Sequence, residues 1–150
     1  MSHRIALASD HAATAMKAEL ADWLRAAGHD VLDLGTNGPE SVDYPDYGYR
    51  LGKAIETGEA TFGVALCGSG IGISIAVNRN PAARCALVSE PLSAGLAREH
   101  NDANVIALGA RMIGIEMAKA CVTQFLETAF LGDRHVRRVE KLSNPERSPA

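Results

Sequence analysis

The sequence predicts an α/β protein, a three-layer α/β/α sandwich built on a five-stranded parallel sheet of the Rossmann-like kind. Three observations carry that expectation. Short, almost wholly apolar runs such as Arg4 to Ser9 and Thr61 to Cys67 lack the in-and-out alternation of a half-exposed strand, so they read as strands covered on both faces. Between them lie segments whose apolar residues recur at helical spacing. Strand and helix alternate along the chain, and parallel strands need crossover connections of this kind.

The elements follow in order. Arg4 to Ser9 is the first strand. Ala13, Met16, Leu20, Trp23, Leu24 and Ala27 then fall on one helix face, and Gly28 ends that helix. Val31 to Leu34 forms a second strand, and Gly35, Asn37, Gly38 and Pro39 mark a turn-rich connection to a helix from Pro45 to Thr57. Thr61 to Cys67 is the third strand, followed by a helix from about Gly70 to Asn78. Arg84 to Val88 is the fourth strand, and a helix opens at Glu90-Pro91, where proline suits the first helical position. Val105 to Leu108 is the fifth. The helix from Gly114 to Leu126 sets Ile115, Ala118, Val122 and Phe125 on one face, and a last helix runs from about Asp133 to Leu142. No repeat and no linker divides the chain, so residues 1–150 read as a single domain ending in an unstructured tail at 145–150.

Composition narrows the function classes. A chain of 150 residues, 47% of them apolar, can bury one core. With 15 basic against 18 acidic residues the net charge is −3, which argues against a general binder of nucleic acid or anionic membranes. Residues 60–78 carry no charge and approach the length of a membrane span, but Gly63, Gly68, Gly70 and Gly72 break them into strand, turn and helix. Three cysteines, an odd number with no closely spaced pair, fit a reduced cytoplasmic protein. The first ten residues lack the apolar core of a signal peptide.

In open parallel sheets, sites lie beyond the carboxyl ends of the strands. That rule selects Ser9-Asp10-His11, Cys67-Gly68-Ser69-Gly70, Ser89-Glu90 and the turn after the fifth strand. The loop Gly68-Ser69-Gly70-Ile71-Gly72 offers bare backbone N–H groups to an anion. It is neither a dinucleotide fingerprint, because Ile73 and Ile75 stand where a third glycine is needed, nor a P-loop, because Gly-Lys-Ser/Thr is absent. Cys67, where strand meets loop, is a candidate base or nucleophile; Cys85 and Cys121 read as small buried hydrophobes. A cysteine phosphatase would need an arginine where Ile73 stands. Asp10-His11 suits proton transfer, or simply a helix cap beside a surface histidine. Glu99-His100-Asn101-Asp102 is either a polar cluster with chemistry or a solvated helix end. Arg134 and Arg138 share a helix face and, with Arg111 and Arg137, make either a phosphate clamp or a solvated basic face. No two of His3, His11, His29, His100 and His135 have metal-ligand spacing.

Taken together, Ser9-Asp10-His11-Ala12, Asp43-Tyr44-Pro45-Asp46, Cys67 to Ser74, Ser89-Glu90-Pro91, His100-Asn101-Asp102-Ala103-Asn104 and Arg134 to Arg138 resemble the ribose-5-phosphate isomerase B family over nearly the whole chain. The resemblance implies an aldose–ketose isomerase without metal or cofactor. It would interconvert ribose 5-phosphate and ribulose 5-phosphate by proton transfer between C1 and C2 through a cis-enediolate. The wider family also acts on tetrulose 4-phosphates, allose 6-phosphate and galactose 6-phosphate. By the same resemblance Cys67 is the base. Ser69 and the backbone N–H groups from Gly70 through Ile71 and Gly72 to Ser74, with Gly68 in the same loop, bind the developing oxyanion. Asp10 and His100 open the sugar ring, and Tyr44 lines the sugar pocket. His11, Arg134 and Arg138 surround the phosphate, with Arg111 from the partner subunit.

His100 and Asn101 would come from a neighbouring subunit, making a homodimer the smallest active unit, with pairing into a tetramer left open. The last helix would pack on or reach toward that partner. Position 69 is Ser where many members with this cysteine have Thr, and the loop has no Glu to replace Cys67. Two rival readings stand beside this one. The first is the same chemistry on another sugar phosphate; the second is a noncatalytic module that binds an anion or nucleotide through the glycine loop.

Overall fold

The computed structural model describes residues 1–149. Strand β1 (Arg4–Ser9) leads through a 3₁₀ turn, His11–Ala13, into helix α1 (Thr14–Ala26). Then come β2 (Asp30–Asp33), α2 (Tyr44–Glu56), β3 (Phe62–Cys67), α3 (Ile71–Val77), β4 (Cys85–Leu87), α4 (Pro91–Asn101), β5 (Val105–Gly109), α5 (Ile115–Glu127) and α6 (Arg134–Ser143). All five strands are parallel, in the order β2-β1-β3-β5-β4. Every predicted element is present. The last residues differ from the unstructured tail expected there: Pro145–Arg147 forms a 3₁₀ turn, while Ala150 lies outside the described residues.

The pleat divides the sheet's side chains into two cores. Ile5, Leu7, Val64, Leu66, Ile106 and Leu108 point to one face, where they meet Leu20 and Leu24 of α1 and Val122 and Phe125 of α5. The intervening Ala6, Ala8, Ala65 and Ala107 point to the other, against Leu51 of α2 and Ile73 and Val77 of α3. Each fully buried leucine or isoleucine contributes roughly 1.5–3 kcal/mol, which explains why β1, β3 and β5, central in the sheet, are the most apolar strands. β4 lies at an edge with Leu87 exposed and spans only Cys85–Leu87, shorter than the expected Arg84–Val88 because it is paired on one side alone.

Small residues let the second layer close up. A side chain at Gly48 would come within 2.7 Å of Ala76 Cβ, and one at Gly52 within 3.1 Å of Asn80 Cβ. These glycines lie four apart on α2 and clear a path for α3, which brings Tyr44, one turn before Gly48, over the glycine loop. Two helix ends are closed as their sequences require. The Glu90 carboxylate accepts the Ser93 N–H at 3.0 Å, and Asp102 takes the left-handed conformation (φ 45°) after α4.

Candidate active site

Chain order and strand order together choose the site. After β1 the chain adds β2 on one side of it, then returns to place β3 on the other, so the crossovers diverge between the carboxyl ends of β1 and β3. Asp10 follows β1 and Cys67 ends β3, with Ser9 paired to Leu66 in the sheet. A groove of about 530 Å³ opens there, lined by Asp10, Tyr44, Cys67, Gly68, Ser69 and Arg111 among others. A larger hollow of about 670 Å³ lies at the opposite end of the strands, against Trp23, Leu126 and Ala129. It holds none of the predicted site residues.

Cys67 is nearly buried, and its sulfur accepts the Gly70 N–H at 3.1 Å. Such a bond strengthens when the acceptor is anionic. Gly70 reaches that position with φ 78°, and a side chain there would press within 2.9 Å of the Leu108 carbonyl carbon, so only glycine fits. The hydroxyl of Ser69 accepts the Ile71 N–H at 3.2 Å. Ser74 turns inward: its N–H bonds the Gly70 carbonyl and its hydroxyl donates to the Ile71 carbonyl at 2.6 Å. Of the backbone donors anticipated in this loop, Gly72 N–H remains without a partner among the described residues, as does the neighbouring Ile73 N–H. The Tyr44 ring occupies the space a side chain on Gly72 would need.

Arg111 lies in the groove of its own chain, where a Cβ on Gly68 would meet its Nη1 at 3.2 Å. The turn after β5 holds it there, through Ala110 N–H to the Cys67 carbonyl and Arg111 N–H to the Gly68 carbonyl, each 2.9 Å. Asp10 spends one carboxylate oxygen capping the 3₁₀ turn through the Ala12 N–H at 3.0 Å. Beside it, His11 Nδ1 accepts the Val42 N–H at 3.1 Å, so the ring's own proton sits on Nε2.

The rest of the predicted set gathers elsewhere. His100 ends α4 with its ring stacked on His135 of α6 (centroids 4.6 Å, planes 14° apart), and Asn101 lines a separate cleft with Arg84, Cys85 and Leu142. Arg134 and Arg138 are exposed and form no salt bridge with a described residue. None of the four lines the Cys67 groove. Burial pushes the Cys85 thiol up to about 12, and burial with the nearby Glu90 charge pushes Cys121 up to about 11, so both stay protonated and unreactive near neutrality. Sequence reasoning missed Ile75 and Met112 as groove walls and missed Lys17. The Lys17 ammonium is fully buried and binds Asp33 Oδ1 at 2.6 Å and Asn37 Oδ1 at 2.5 Å. Its place on the buried stripe of α1, four residues after Ala13, was the available signal.

Residues 5–142 match the Ribose/Galactose Isomerase family. The chain belongs to that family. It is 41% identical over 140 residues to ribose-5-phosphate isomerase B of Escherichia coli, covering 93% of this chain and 94% of the relative. It is 40% identical over 139 residues to the D-erythrulose-4-phosphate isomerase of Pectobacterium atrosepticum, covering 92% and 91%. The structure superimposes on ribose-5-phosphate isomerase B of Clostridium thermocellum with a TM-score of 0.93, at 44% identity and with 95% and 97% of the two chains covered. For the Thermotoga maritima ribose 5-phosphate isomerase the TM-score is 0.92 at 48% identity. The chain is thus a sugar-phosphate isomerase of α/β fold.

Proposed function

We propose that this protein interconverts ribose 5-phosphate and ribulose 5-phosphate in the cytoplasm, as a homodimer with each site shared between subunits. The observation that carries the reading is the Cys67 sulfur beneath the Gly70 N–H, in a groove where Asp10, Arg111 and the Gly72 N–H converge. In this reading the closed aldose opens first. A base takes the anomeric hydroxyl proton, the C1–O4 bond breaks as the C1 carbonyl forms, and an acid returns a proton to O4. Asp10 and His100 divide those two duties. The Cys67 thiolate then removes the C2 proton; O1 gains the charge and is protonated, O2–H gives up its proton, and the thiol returns hydrogen to C1. Ser69 and the free N–H groups of the loop stabilise the enediolate oxygens as charge develops. No step calls for a metal or cofactor.

The division of the site residues into two groups supports the dimer. His100, Asn101, Arg134 and Arg138 lie together on α4 and α6, away from their own Cys67 groove, and four exposed apolar side chains, Ile71, Ile75, Leu87 and Met112, crowd the loop and the nearby edge strand. A second copy laid across that surface brings its histidine to the groove and its arginines toward the sugar's phosphate, where they join His11 and Arg111. A shorter or longer sugar phosphate is the second reading, favoured by the near-equal identity to the erythrulose-phosphate enzyme. Proton NMR in D₂O decides between them. Rapid conversion of ribose 5-phosphate with deuterium entering the product carbon is expected. Turnover confined to a tetrulose 4-phosphate or a hexose 6-phosphate would move the assignment to that substrate, and no turnover of any of these sugar phosphates would refute the isomerase reading.

A further inference from the structure

We propose that His135 is a positioning residue whose stacked ring fixes the orientation of His100. The inference rests on His100 being the ring-opening group. Helix α6 exposes nearly all its residues and buries His135 alone, at 6% exposure, directly against the His100 ring. Its Nε2 is buried without a hydrogen-bond partner among the described residues. For simply docking a helix, an aliphatic side chain would serve without burying an unsatisfied nitrogen. What imidazole adds is a flat, polarisable face parallel to another imidazole. The approach of α6 is set one turn earlier, where Leu131 N–H donates to the Glu99 carbonyl at 3.1 Å, beside His100 in the chain.

The charges around the stacked rings act on His135. His135 faces Arg134, Arg138 and Asp133 from its own element and His100 from α4; burial, the two arginines and His100 outweigh Asp133 and hold it below the ordinary imidazole range. Two imidazolium rings 4.6 Å apart would repel strongly, and a neutral His135 presents its flat face to the His100 ring without that repulsion. His135 itself touches no reacting atom in this scheme.

Chemistry separates this role from a structural one. Ribulose 5-phosphate has its 5-hydroxyl esterified and cannot close to a furanose, so exchange of its C1 proton with solvent needs Cys67 but no ring opening. Ribose 5-phosphate must be opened before it reacts. Two rates are therefore measured for parent protein, His135→Ala, His100→Gln and the double variant: aldose-to-ketose conversion, and deuterium uptake from D₂O at C1 of ribulose 5-phosphate. The expected result is that His135→Ala lowers conversion by at least about tenfold. Ketose exchange stays within about twofold of the parent, and adding His135→Ala to His100→Gln lowers conversion no further, since a residue acting only through His100 has nothing left to act on. Equal losses in both reactions, no loss in either, or an additive loss in the double variant overturns the inference alone. Parent protein that performs neither reaction overturns the isomerase assignment and the inference with it.

Discussion

Cys67 has a bond that neither Cys85 nor Cys121 has: a backbone N–H aimed at its sulfur from a glycine held at positive φ. The role of Cys67 can be tested on that residue alone. Cys67→Ala removes the base and leaves the groove, Arg111 and the loop donors in place, so isomerisation and solvent exchange should fall by about 10²–10⁴-fold, the usual worth of a positioned base. Ribose 5-phosphate should still bind, as isothermal titration would show; near-parent turnover would remove Cys67 from the mechanism. At this scale the sequence was informative because Asp10, Cys67 and Ser69 owe their positions to neighbours within a few residues, at the ends of strands whose apolar runs are plain. His135 was hidden, because its meaning is a contact between α4 and α6, which are more than thirty residues apart along the chain at the stacked rings.

Element boundaries were legible wherever a residue with a definite stereochemical role stands at an end. Gly28 (φ 93°) stops α1, and Glu90 with Pro91 starts α4. Lys17 shows the limit of pattern reading. Its ammonium crosses from α1 to the connection between β2 and α2, where Asp33 also accepts the Gly35 N–H at 2.9 Å. This ties down the segment that ends in the Val42 N–H on His11. Lys17→Met should destabilise the protein by about 2–4 kcal/mol, somewhat less than a fully buried pair because the Asp33 side chain is 27% exposed. Urea denaturation measures that loss, and a change below about 0.5 kcal/mol would make the tie unimportant. Helical periodicity marks a position as inward-facing but says nothing about a charged side chain finding partners there, because those partners come from another element.

Assembly and acidity belong to the molecule as a whole. If each site joins the Cys67 groove of one chain to the His100 of another, unfolding and refolding a mixture of Cys67→Ala and His100→Gln chains should restore activity. Random pairing makes half the dimers mixed, each with one intact site, so about a quarter of parent activity is expected. A mixture no more active than its components would place the whole site in one chain. Acid should also weaken the fold. His3, desolvated and beside His29, and His135, desolvated beside two arginines, are both held below the ordinary imidazole range in the folded state. The unfolded chain therefore takes up protons first as pH drops. Stability contributed by these groups is fully present above the ordinary range and is lost as pH falls through it toward their folded values. Thermal midpoints should decline between about pH 7 and 5, and His135→Phe should flatten that decline; a rise over the same interval would contradict the lowered values of these two histidines.

The alternation of strand and helix, the parallel sheet, the glycine loop and the family were readable from the sequence, because each rests on local periodicity or on residues close together in the chain. Tertiary structure decided the strand order that sets Asp10 beside Cys67, the presence of Arg111 in its own groove, the inward turn of Ser74 and the separation of His100, Asn101, Arg134 and Arg138 from that groove. The reason is physical. Backbone preference and hydrophobic patterning act over a few residues and mark which groups are buried or capping, whereas the pairing of distant strands and the packing of one helix on another determine which groups meet.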